Sequence, residues 1–124
     1  MTEHVTAAER SYGSAAHLSS LVWGGVIPVL GSFVVTLLLW WWMRESAFVV
    51  RHARASINFQ LSMTVHYTLA LGYVFVSVSF GMLLLASAMI FETVSIVRAA
   101  RRAKAGEYYQ YRLCLEFVKD RESE

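Results

Sequence analysis

Charged residues leave two long gaps in this chain. Leu18 to Met43 is 26 residues without Asp, Glu, Lys or Arg, and Ala55 to Phe91 is another 37. A helix that crosses a bilayer needs roughly 20 mostly apolar residues, so each gap holds at least one span. The second gap is too long for one. As a single helix it would reach about 55 Å at 1.5 Å per residue, against a hydrocarbon core of about 30 Å. Val76-Ser77-Val78-Ser79-Phe80-Gly81 supplies the serines and glycine of a turn between two helices. The pattern predicts an all-α membrane protein of one domain, with three transmembrane helices at about 18–43, 57–77 and 81–101. The first gap exceeds the roughly 7–15 apolar residues of a secretory signal, and the stretch before it is not basic, so it reads as a retained span.

Between the first two spans, Phe48 to Ala55 reads as a short amphipathic helix on the cytoplasmic surface, with Arg51 and Arg54 meeting lipid head groups. After the third span the period changes to two: Tyr109, Tyr111, Leu113, Leu115 and Phe117 alternate with Gln110, Arg112, Cys114 and Glu116. That alternation predicts a short extended segment within a cytoplasmic tail at 102–124.

Charge orients these elements. Three spans put Arg44, Arg51 and Arg54 on the same side as Arg98, Arg101, Arg102, Lys104, Arg112, Lys119 and Arg121, which is 10 of the 11 basic residues. The positive-inside rule makes that side cytoplasmic. The expectation is a multi-pass protein of a bacterial inner membrane, N-terminus periplasmic and C-terminus cytoplasmic. Trp40, Trp41 and Trp42 fit an aromatic belt at the inner face. Arg98, Arg101, Arg102 and Lys104 follow a span directly and read as lipid head-group contacts rather than a nucleic-acid patch.

Three features could carry chemistry. Pro28, flanked by Gly24, Gly25 and Gly31, predicts a kink inside the first span, since proline leaves the carbonyl four residues back without its donor. Small residues recur along the second and third spans in stripes that mirror about Ser79, setting Ser77 opposite Gly81 and Ala70 opposite Ala88. The same register sets His66 opposite Glu92, a candidate intramembrane polar pair. A charge at that depth costs roughly 2–3 kcal/mol or more, which favours pairing or protonation. The lone cysteine, Cys114, has no neighbouring histidine to activate it.

The composition, 56% apolar and 16% charged, fits a membrane protein. No phosphate-binding glycine loop, zinc-protease helix or nucleophile-and-base spacing is present. The chain reads as a non-enzyme without cofactor or metal. Its partners are the lipid bilayer and other membrane proteins or further copies of itself, not nucleic acid. An accessory or assembly subunit is the expected function, with a small oligomeric channel or transporter component using His66 and Glu92 as the alternative.

Several blocks together carry a resemblance: Ala16-His17-Leu18-Ser19, the span from Ile27-Pro28 to Trp40, Glu45-Ser46-Ala47-Phe48-Val49, Ile57-Asn58-Phe59-Gln60, and Gly106-Glu107-Tyr108-Tyr109-Gln110-Tyr111. Over about residues 14 to 118 the chain resembles a family of small bacterial integral membrane proteins of unknown function. That family is distantly similar to the membrane-embedded protein-import component of the chloroplast inner envelope. The chain departs from it at Gln110, where members carry arginine, at Arg112, where they carry proline, and at Arg51 or His52, where they tend to carry an acid. His66 and Glu92 match no motif of the family. The resemblance implies a helical membrane protein working within a larger assembly and supplies no activity.

Overall fold

The computed structural model describes residues 4–19, 21 and 28–118, with the backbone alone for 28–32. Four helices follow one another: α1 Ala7–Leu18, α2 Pro28–Trp42, α3 Ala47–Val74 and α4 Val78–Lys104. Three of the starts have a local cause. Thr6 and Glu9 form a reciprocal capping box on α1, the Glu9 amide reaching the Thr6 hydroxyl at 3.2 Å and the Thr6 amide reaching the Glu9 carboxylate at 2.8 Å. Ser46 caps α3 and Ser77 caps α4. The described part of α2 begins at Pro28.

Of the first predicted span, 18–43, the described helical residues are the end of α1 at Leu18 and α2 from Pro28 to Trp42. α1 stops at Leu18 and the description resumes in α2 at Pro28, so the kink expected at Pro28 lies at the edge of the described residues. Gly24 and its carbonyl, the other half of the expected kink, lie outside the described residues. At 15 residues α2 is about 22 Å long, shorter than the hydrocarbon core. Among the described residues, α4 alone is long and apolar enough to cross a membrane.

The second and third predicted spans form a hairpin through the turn at Phe75–Ser77. At its crossing a Cβ on Gly81 would lie 2.5 Å from the Val74 amide nitrogen. Gly81 thus meets Val74, not Ser77 as the sequence register had it. The amphipathic surface helix expected at 48–55 is no separate element. It is the first part of α3, with Phe48, Val49, His52 and Ala53 buried. α1 accounts for this: its small face, with Gly13, Ser14 and Ala16, lets it pack closely on this stretch, Gly13 lying against the Phe48 ring.

The molecule has two zones. A head gathers α1, the first half of α3, the second half of α4 and the tail around Phe59, Met63, Ile96, Ala99 and Tyr111. An arm of α2 and the α3–α4 hairpin carries outward apolar side chains, with Phe75 93% and Val76 82% exposed. The head also brings the first and last described segments together. Arg10 sits beside Gly106, Ser46 donates to Glu9 at 2.7 Å, and His17 contacts Tyr111 at 2.8 Å. The N-terminal helix, the turn before α3 and the tail share one end of the molecule, with the hairpin turn at the other. α1 and the tail thus sit together, whereas three spans would set the segments before the first and after the third at opposite ends.

The tail is not a strand. α4 ends on Gly106 at φ 80, with the Glu107 amide on the Arg102 carbonyl and the Gly106 amide on the Ala103 carbonyl, a closed helix terminus. Beyond it no second strand offers a ladder among the described residues. Side chains of α3 take up the tail's backbone instead. Asn58 accepts from the Phe117 and Val118 amides at 3.1 and 2.8 Å and donates to the Val118 carbonyl, and the Ser62 hydroxyl accepts from the Leu115 amide at 2.9 Å.

Candidate functional site

The head's interior is polar, and its polar groups answer one another. From α1, His17 Nε2 lies 2.8 Å from Nδ1 of His52 on α3. His17 Nδ1 lies 2.8 Å from the Tyr111 hydroxyl of the tail. Below them Ser56 donates to the Ala16 carbonyl, Gln60 donates to Ser56 and Thr36, and Ser19 meets Thr36. This network joins α1, α2, α3 and the tail at one point. Burial dominates its titration. It pushes His17 down to about 3, with the neighbouring His52 adding to the effect. His52 falls to about 4 through burial and then through Arg51, while the Glu107 backbone favours its proton. Burial likewise drives the Tyr111 phenol far up. At neutral pH all three are uncharged.

Neutrality fixes a direction along the chain. If Tyr111 donates to His17 Nδ1, His17 Nε2–H donates to His52 Nδ1, and His52 Nε2–H is left facing the Glu107 backbone. Nε2 falls short of a proper hydrogen bond there, but an N–H beside a carbonyl is the arrangement that the Glu107 influence describes. Around this core Tyr108 stacks on His52 with ring centroids 5.5 Å apart, and Arg51 lies 4.2 Å above the Tyr108 ring. Tyr111 stacks on Phe59 at 4.0 Å.

Two open clefts flank the head. One, about 850 Å³, runs from Phe91 and Ser95 past Arg98, Arg101 and Arg102 to Tyr109, Gln110 and Arg112. The other, about 630 Å³, is bordered by Arg51, Arg54, Asn58 and the tail.

The residues singled out from sequence scatter across this frame. His66 and Glu92 are not brought together. His66 is exposed and its Nδ1 contacts the Ser62 carbonyl of its own helix at 2.7 Å, while Glu92 takes a hydrogen bond from Tyr67. Tyr67, the neighbour of His66 in the chain, is the side chain that α3 turns toward Glu92. Arg51 lies on Tyr108, and Arg54 approaches Trp40 with its guanidinium 5.7 Å from the ring. Arg98, Arg101 and Arg102 share the larger cleft, and Lys104 ends α4 exposed outside its lining.

His17, His52 and Tyr111 appear in the sequence as parts of separate blocks, and nothing there joins them into one cluster. The one available signal was α1's small-residue face ending in His17, a pattern that predicts a close-packed helix. Among the described residues no group of three His, Cys, Asp or Glu side chains is placed to hold a metal ion. The core's two imidazoles are engaged with each other.

Neither a curated protein nor a solved structure matches the chain, so the likeness to the chloroplast import component gains no support. Residues 8–118 match the magnetosome magnetite crystal formation protein family, a match that spans the head, the arm and the tail.

Proposed function

Since the chain belongs to the magnetosome magnetite crystal formation protein family, a membrane-associated family, we propose that it is a multi-pass accessory protein of the magnetosome membrane. In this reading it acts in magnetite crystal formation by binding other membrane proteins, not by catalysis. The observation that carries it is the division between head and arm. The head's polar groups are turned inward onto one another, while the arm leaves Leu38, Leu69, Leu83 and Ile90 more than half exposed. Lipid and neighbouring helices are the natural cover for such a surface. The described basic residues, Arg10, Arg44, Arg51, Arg54, Arg98, Arg101, Arg102, Lys104 and Arg112, belong to the head or its border. The positive-inside rule then supports a cytoplasmic head carrying both chain ends.

The alternative, a small oligomeric channel or transporter component, draws on the Glu92–Tyr67 pair at the border of head and arm. It is the weaker reading because His66 takes no part in that pair. Affinity capture of the tagged full chain from native membranes tests the choice. Stoichiometric recovery of another membrane protein is the expected result. Capture of nothing, together with ion flux from the purified protein alone in liposomes, would overturn it.

A further inference from the structure

The larger cleft changes character along its length. Phe91 and Ser95 line the end nearer the apolar arm, followed by Arg98, Arg101 and Arg102 on α4, with Arg112, Tyr109 and Gln110 closing over from the tail. From Phe91 to Arg101 the cleft follows about 15 Å of helix. Its charges are largely uncommitted. Glu107 is the lone acid in the lining and pairs with Arg102, and no salt bridge holds Arg98, Arg101 or Arg112 among the described residues. Nor are these side chains needed to finish α4, whose last carbonyls are taken by the amides of Ala105, Gly106 and Glu107. Arginine's planar fork suits phosphoryl oxygens, and Tyr109, Gln110 and Ser95 add neutral hydrogen-bonding groups. The two clusters that form this basic end, the close of α4 and Arg112, are separated in the chain and meet only because Tyr111 is anchored in the head.

We infer that this cleft is a binding seat for the phosphoryl group of an anionic phospholipid, with the head group among Arg98, Arg101 and Arg112 and the acyl chains descending past Phe91 and Val94 along α4. A free phosphate would share the basic end but leave the apolar end unused, and the gradient in the lining favours the lipid. The inference rests on membrane embedding of the arm and not on any protein partner, so failure of the capture experiment leaves it standing.

Native mass spectrometry of the full chain released from detergent micelles tests it, with phosphatidylglycerol and phosphatidylcholine supplied in equal amounts. One phosphatidylglycerol should be retained in preference to phosphatidylcholine. Arg101→Gln and Arg112→Gln should each lower that retention about tenfold, roughly the value of one charge-assisted bond. Arg44→Gln, a basic residue outside the cleft, should leave it unchanged, and helical content by circular dichroism should be unaltered in all three. Equal retention of the two lipids would overturn the inference, as would equal losses from Arg44→Gln and Arg101→Gln. Displacement of phosphatidylglycerol by millimolar inorganic phosphate would keep the anion site and overturn the lipid assignment.

Discussion

Tyr111 fastens the tail in two ways, through its ring on Phe59 and its hydroxyl on His17. Tyr111→Phe separates them. The stack survives, but a buried imidazole nitrogen loses its partner, a loss of about 1–3 kcal/mol. Chemical unfolding in detergent micelles should show it as a lower midpoint with little change of slope. The same cluster sets a pH dependence whose sign is fixed by burial. Unfolded histidine takes up a proton near pH 6.5, whereas folded His52 and His17 wait until about 4 and about 3. Between those values the unfolded chain binds more protons, so stability falls as pH drops below about 6.5. The loss reaches about 1.4 kcal/mol per pH unit for each histidine and levels off only below the folded values. Thermal midpoints taken downward from pH 8 should be flat at first and then decline. His17→Gln should shallow that decline, and an unchanged slope would remove His17 from the account.

Two glycines in the hairpin make a matched pair at the level of the element. Gly81 has the Val74 backbone within 2.6 Å of where a Cβ would stand, whereas Gly72 has nothing within 4 Å. Gly81→Ala should therefore force the helices apart and destabilise by about 1–3 kcal/mol. Gly72→Ala should be neutral or gain up to about 1 kcal/mol from helix propensity. Melting both variants in one detergent gives the comparison, and equal effects would refute the close crossing. The register follows from this contact as well. A hairpin closed on Val74 and Gly81 differs at its turn from one closed on Ser77, and farther along it Tyr67 meets Glu92.

For the whole molecule, the packing of α1 against α3, α4 and the tail predicts one accessible face for both chain ends. In a Cys114→Ser background, Ala8→Cys and Leu113→Cys should react with a membrane-impermeant thiol reagent from the same side. Val76→Cys, at the hairpin turn, should react from the other. Labelling of Ala8→Cys and Leu113→Cys from opposite sides would show that α1 does not pack on α4 in the bilayer.

The charge gaps, the turn near residue 77 and the basic end of α4 were legible in the sequence, because hydropathy and charge act residue by residue and leave their period in the chain. They fix the helical class, the hairpin and the side on which the cations collect. What they leave open depends on contacts between distant residues. α1 is polar by composition, and only its small face against Phe48 and His52 makes it part of the head. The alternation at 109–117 promised a strand, but a strand needs a neighbour to bond to, and Asn58 and Ser62 offered hydrogen bonds first. His66 and Glu92 were matched by a register that counting alone could not fix, since neighbouring registers share the apolar pattern while every facing pair changes, and Tyr67 took the place expected of His66. His17, His52 and Tyr111 meet across 94 positions of chain, and no local period records an encounter of that kind; it is decided by packing.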